Sequence, residues 1–250
     1  MTVVLPVLGL LAVIGLWWLA TILFGVESFL VPSPADVVSS FLELPGYLLE
    51  QSLVTLGETV LGFLLSIVVG VPVALLIVGS KVLERMFYPL LVALNAVPKV
   101  AIAPIFVVWF GFGIESKVLL IVLVCVFPVV ISTASGMKST PHELVELLRS
   151  LDATRRQEFF KLRFRHALPQ VFVGLKVAIS LAVIGAVIAE FIAARAGLGY
   201  VISQSGATAD TSLAFAAMCL LAIMSITLFY GLAFIERKAL PWAEEHRDAV

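Results

Sequence analysis

One polar segment, Ser139 to Pro169 (STPHELVELLRSLDATRRQEFFKLRFRHALP), lies between apolar runs that are long enough to cross a bilayer. Crossing about 30 Å of hydrocarbon takes ~20 apolar helical residues. In lipid the backbone must satisfy its own polar groups, which limits a spanning chain to helices or closed barrels. Runs of this length specify helices with a soluble device between two of them. The composition agrees: 61% of the 250 residues are hydrophobic and 13% charged, against about 45–50% and ~25% in soluble domains. A net charge of -1 gives no basis for binding nucleic acid. The expected fold is all-α and polytopic, a single transmembrane domain over residues 1–250.

Six spans are expected, at about 5–24, 55–78, 87–110, 118–135, 170–194 and 212–235, with the polar loop 139–168 between the fourth and fifth. The first run carries no Lys or Arg ahead of it, unlike the positive start of a signal peptide, and is read as a retained helix. Between it and the second span, SPADVVSSFLEL predicts a short helix capped by Ser33 with Pro34 at its first position. Pro89, Pro98 and Pro104 predict a third span that is kinked or broken. A glycine-rich stretch, ARAGLGYVISQSGATAD, predicts a re-entry after the fifth.

Charge sets the expected orientation. With the amino terminus inside, 12 of 16 basic residues are cytoplasmic, among them Lys81, Arg85, Lys138, Arg149, Arg155, Arg156, Lys161, Arg163, Arg165, Arg237, Lys238 and Arg247. Lys117 and Arg195 fall in outer loops. Both termini and the polar loop then face the cytoplasm.

The polar loop reads as two helices with a bend. Thr140, Pro141 and Glu143 have the spacing of a capping box with a proline start. Leu144, Leu147, Leu148 and Leu151 recur at i, i+3, i+4 and i+7 and give one apolar face. Asp152 tolerates the left-handed backbone a bend requires. Thr154 and Gln157 form a second capping box, and Pro169 is expected to allow only the start of a new helix.

This pattern resembles the cytoplasmic loop of permease subunits in ATP-binding-cassette importers. That family's signature has Glu-Ala-Ala, then Gly, Ile and Leu-Pro at fixed spacing. Here Glu146 holds the Glu position, while Leu147 and Leu148 replace the alanines. Asp152 stands for the Gly, Leu162 for the Ile, and Phe164 and Arg165 for Leu-Pro. The flanking runs VPSPADVV, AVPKVAIAPIFVVWFGFG, ALPQVFVGLK and AEFIAARAGLGYVI are similar to the nitrate, sulfonate and bicarbonate (taurine-like) branch. The resemblance covers roughly residues 28–242.

It implies a permease subunit in the cell inner membrane, contacting membrane lipid. Its partners would be two ATPase subunits, a second permease copy and a periplasmic or lipid-anchored solute-binding protein. ATP and Mg would sit on the ATPase, and no cofactor is expected in this chain. Glu143, Leu144, Glu146, Leu147, Leu148, Leu151, Asp152 and Ala153 would form the coupling surface. The substrate would be a small anion or a small organic solute, with a pyrimidine or flavin precursor favoured.

The chain has no P-loop, no H-E-x-x-H and no paired-cysteine metal spacing, so no catalytic or metal site is expected. Ionisable residues at membrane depth are functional candidates by default. Asn95 and Lys99 are four apart, on one face if the helix survives Pro98. They either line the path or close carbonyls freed at the proline. Glu58 is read as structural. Glu190, with Gly197 and Gly199 after it, is read as a gate element or a structural brace, its carboxylate bonding free N–H groups or Arg195. The alternative to an ATP-driven importer is a self-contained secondary transporter or channel.

Overall fold

The computed structural model describes residues 4–25 and 27–244. The first three residues and 245–250, which include His246 and Arg247, lie outside them. Among the described residues the chain is helical, with no strand.

Three helices form the core: α3 (Pro45–Gly79), α6 (Ile114–Lys138) and α9 (Phe164–Ala193), with α6 on α9 the most extensive contact. α9 presents Gly174, Ala178, Ala182 and Ala186 at every fourth position, a stripe of small residues along one helical face. The three alanines are fully buried. Without a hydrophobic drive between helices in lipid, such stripes let backbones approach closely. Here they do: a Cβ on Gly136 of α6 would lie 2.9 Å from the Ala167 carbonyl, and one on Gly174 2.9 Å from that of Pro128. α6 and α9 are therefore antiparallel. α3 and α6 run the same way, with Gly62 against Ile121 and Gly70 against Val129.

Four helical stretches are long and apolar enough to cross a membrane: Pro45–Gly79, Ile114–Lys138, Arg155–Ile192 and Thr211–Ala239. The last is α11 (Thr211–Ala239), which joins α9 through Lys176 and Glu236 (2.7 Å). The expected third span is two helices, α4 (Lys81–Ala96) and α5 (Lys99–Phe110), bent by 93°. Pro98 lacks the N–H that would continue α4 and holds Val97 extended (φ -69, ψ 128). α1 (Val4–Leu23) is apolar throughout and stacks Trp17 on Phe215 at 5.8 Å. Ser33 caps α2 (Pro34–Glu43) as expected, and Asp36 closes a capping box with it.

Two boundaries differ from the sequence reading. α3 begins at Pro45, ten residues before the expected span, because its first turns carry polar residues on the protein-facing side. Pro169 lies inside a helix that runs unbroken from Arg155: α8 (Arg155–Gln157), a π-helical segment (Glu158–Arg163), then α9. A π turn bonds i to i+5 and loosens the local ladder, and proline at 169 removes only the donor to Arg165.

Candidate functional site

Polar residues gather at the two ends of the core. At one end lies α7 (His142–Ser150), followed by the bend and α8. α7 closes in a Schellman motif: Ala153 N–H donates to the Leu148 carbonyl (3.1 Å) and Asp152 N–H to that of Arg149 (3.1 Å). Asp152 takes the left-handed conformation (φ 55) usually left to glycine. The expected cap at Thr140 is absent. Its hydroxyl donates to Met137 at the end of α6 (3.5 Å), and Pro141 takes the cap position. Thr154 and Gln157 do form their capping box.

The residue that α7 buries is Val145 (4% exposed). Leu148 is half-buried, while Leu144, Leu147 and Leu151 are exposed, the last two at 57% and 70%. Glu143, Glu146 and Asp152 are exposed too, and Ala153 is half-buried. Glu146 faces His142 Nδ1 at 3.2 Å, one turn back. At 100° per residue the leucines point roughly away from Val145. An apolar strip thus faces outward on a polar helix.

The loop is anchored by Glu158, a buried carboxylate. Its Oε2 accepts from Arg149 Nε (3.2 Å), and its Oε1 from Arg163 Nε (2.9 Å). Arg163 Nη2 also reaches Oε1 (2.7 Å). This clamp was not expected from the sequence. Its signal was an acid with one basic residue five positions after it and another nine before it, across the bend.

At the other end α9 breaks, and α10 (Leu198–Thr208) begins. Three side chains take the first three amides of the new turn. Gly197 N–H donates to Gln51 Oε1 (2.6 Å), Leu198 N–H to Thr55 Oγ1 (2.8 Å) and Gly199 N–H to Glu190 Oε2 (2.6 Å). Thr55 in turn donates to Glu190 Oε1 (2.7 Å). Glu190 is 1% exposed. Both glycines are required. Gly197 has φ 113, and a Cβ on Gly199 would lie 2.8 Å from Glu190 Oε2. Arg195 takes no part, being exposed and without a hydrogen bond or ion pair among the described residues.

Beside this junction Glu58 pairs with Lys117, both buried. Lys117 is thus inside α6 rather than in an outer loop. Single opposite charges in two neighbouring apolar runs were the signal for this pair. Asn95 and Lys99 sit at the α4–α5 break, where Lys99 Nζ donates to the Asn95 carbonyl and to Asn95 Oδ1, both at 2.6 Å. The helix does not survive Pro98, and the lysine closes its free end. The structure therefore groups Glu190, Gly197 and Gly199 together, with Asn95 and Lys99 apart from them. No group of three or more metal-ligating side chains occurs among the described residues.

Residues 62–240 match the family described as the binding-protein-dependent transport system inner membrane component. The chain belongs to that family. The permease falls in the branch holding taurine and aliphatic-sulfonate permeases. It is 37% identical over 241 residues, 96% of both chains, to the formylaminopyrimidine transport permease protein ThiX of Halalkalibacterium halodurans. It is 35% identical over 243 residues to the riboflavin transport system permease protein RibX of Chloroflexus aurantiacus, 95% of this permease and 91% of that one. Among solved structures the inward-facing MetNI methionine transporter has the same fold (TM-score 0.69, 18% identity, 78% of this chain and 97% of that one). The permease is thus a multi-pass membrane protein of a binding-protein-dependent transport system.

Proposed function

We propose that this chain is the translocating subunit of an ATP-driven importer, with α7 as its coupling helix. The observation that carries this is the outward strip of Leu144, Leu147 and Leu151 on a helix whose inward contact is Val145. A short amphipathic helix of this kind suits a groove on a partner. That partner is an ATPase subunit, present in two copies, which binds ATP and Mg. Glu143, Glu146 and Asp152 flank the strip, and Leu148 and Ala153 form its inner edge.

The basic loop end faces the cytoplasm. With α1 and the bent α4–α5 pair each crossing once, the chain has six spans and both termini inside. The exposed α4–α5 break cannot face lipid, since irregular backbone at membrane depth needs protein or a watery cavity. A second permease copy and the path between the two copies cover it, placing Asn95 and Lys99 near that path. The Glu190 junction, with Gly197 and Gly199, braces the outer gate beneath a solute-binding protein. The substrate is a small organic solute, and a nitrogen heterocycle is favoured over an inorganic anion. Support comes from the two relatives above, named for formylaminopyrimidine and riboflavin.

Reconstitution tests the reading. Uptake should require ATP, the partner ATPase and the binding protein. Uptake by this chain alone would overturn it in favour of a secondary transporter or channel. Binding-protein capture of a formylaminopyrimidine, riboflavin or taurine decides the solute. Cysteines at Glu43 and Arg156 should label from opposite sides, and same-side labelling would overturn the topology.

A further inference from the structure

The inner side of the loop holds a feature that coupling does not use. A cavity of about 290 Å³ opens between the loop and the ends of α3 and α6, against Val78, Gly79 and Met137. Its charged wall is Arg149, Arg155, Arg163 and Glu158. On α7, Arg149 lies one residue-step of 100° past Leu148 and so on the Val145 side, roughly opposite the outward leucines. A partner seated on the leucines would leave this wall untouched.

The donors in the wall are largely unused. A guanidinium carries five N–H groups. Arg149 gives Glu158 only its Nε, so both terminal nitrogens remain. Arg163 gives Nε and Nη2 to the same carboxylate, so Nη1 remains. The Arg155 side chain makes no hydrogen bond or ion pair with any described residue. Three guanidiniums against one carboxylate leave two positive charges in excess. Gly79 ends α3 and Met137 is one residue from the end of α6, so the cavity lies where hydrocarbon gives way to headgroups. Basic pockets between membrane helices at cytoplasmic headgroup level suit anionic headgroups, and the planar guanidinium fork fits phosphate oxygens in pairs.

We propose that this cavity binds a phosphate group, from an anionic phospholipid headgroup or from a soluble phosphate. Bound there, it bridges Arg149 on α7 to Arg155 and Arg163 on the helix leading into α9. It thereby stiffens the loop on the side away from the ATPase. The headgroup source rests on the orientation proposed above, whereas retention of the phosphate does not depend on orientation or on coupling.

The test uses the purified transporter complex in nanodiscs of phosphatidylcholine with a minor fraction of phosphatidylglycerol. Retained lipid is counted by native mass spectrometry after delipidation. The parent should keep phosphatidylglycerol in preference to phosphatidylcholine, and Arg155→Gln should weaken that retention about tenfold, the loss of a charge-assisted hydrogen bond. The Arg155 side chain has no partner among the described residues, so without anionic lipid or phosphate the thermal unfolding of this variant should match the parent. Arg156 stacks on Phe160 outside the cavity wall, and Arg156→Gln should leave retention unchanged. A second arm adds inorganic phosphate to phosphatidylcholine-only discs and follows it by ³¹P NMR. Arg155-dependent phosphate binding there, together with displacement of phosphatidylglycerol when phosphate is added to the mixed discs, assigns a soluble source, and phosphatidylglycerol retention that phosphate does not displace assigns the lipid. Equal loss in both variants would overturn the cavity in favour of diffuse attraction. Retention of neither probe by the parent, or undiminished retention by Arg155→Gln, would overturn the proposal.

Discussion

Replacing Glu190 by alanine removes two acceptors from a site with no access to water. The consequences for the two donors differ. Thr55 has a second acceptor, the Gln51 carbonyl at 3.3 Å, and can turn its hydroxyl there. Gly199 N–H has none, because its only partner among the described residues is Glu190 Oε2. An orphaned buried donor costs about 1–3 kcal/mol. With 1.4 kcal/mol per factor of ten, that is roughly 5–150-fold in an opening equilibrium. Amide hydrogen exchange read on peptides spanning 195–203, in the protein held in nanodiscs, should therefore accelerate by that factor in Glu190→Ala. Glutamine should behave differently. Its oxygen accepts from Gly199, its NH₂ donates to Thr55 Oγ1, and Thr55 passes its own proton to Gln51. One N–H of the new amide is left over, so exchange should accelerate, but less than in the alanine variant. Unchanged exchange in the alanine variant would refute the view that Glu190 holds the start of α10. Equal acceleration in both variants would refute the accounting by hydrogen bonds.

Three other outcomes are expected. Lys117→Met strands the Glu58 carboxylate inside the bundle and should destabilise by about 3–5 kcal/mol; Glu58→Gln added to it should restore most of the loss in thermal unfolding. Leu147→Asp, on the outward strip, should leave permease melting unchanged yet lower coupled ATPase activity, whereas the buried Val145→Asp should destabilise the permease itself by several kcal/mol. Gly174→Leu should prevent folding, because its Cβ would meet Ser132 and the Pro128 carbonyl; Gly206→Ala, with nothing within 4 Å, should be neutral or stabilising by about 0.5–1 kcal/mol. Expression with size-exclusion chromatography reads the first of these, and a melting curve the second.

The helical membrane architecture was legible because span length and charge-free runs are one-dimensional properties. So were the caps at Ser33 and Thr154 and the bend at Asp152, all set by neighbours within a few residues. The long-range pairs were harder. Glu58 with Lys117, and Gln51 and Thr55 with the turn at Gly197, depend on how α3 is rotated against α6 and α9, which no local pattern states. Glu190 itself was visible as a lone acid, and its position continues the Gly174, Ala178, Ala182, Ala186 series by one more step of four. In the structure that series is the buried face. Pro169 misled for the opposite reason. A local rule marks proline as a helix start, but the unbroken helix tolerates the missing donor next to a π-helical stretch. The four leucines of the loop were placed on a coupling surface by the resemblance, but Val145, whose burial turns three of them outward, was not seen, since tertiary contact decides it.

The unbroken helix from Glu158 to Glu190 also acts as a ruler. One residue inserted anywhere between Ala178 and Ala186 would carry Glu190 about 1.5 Å further and turn it by about 100°, away from Thr55 and out of line with the small-residue face. An insertion in the turn before α10 or in the one before α11 would cost no such phase. Length variation tolerated by this chain should therefore collect in those turns, while the interval between the two carboxylates stays fixed in residue count even where its side chains drift.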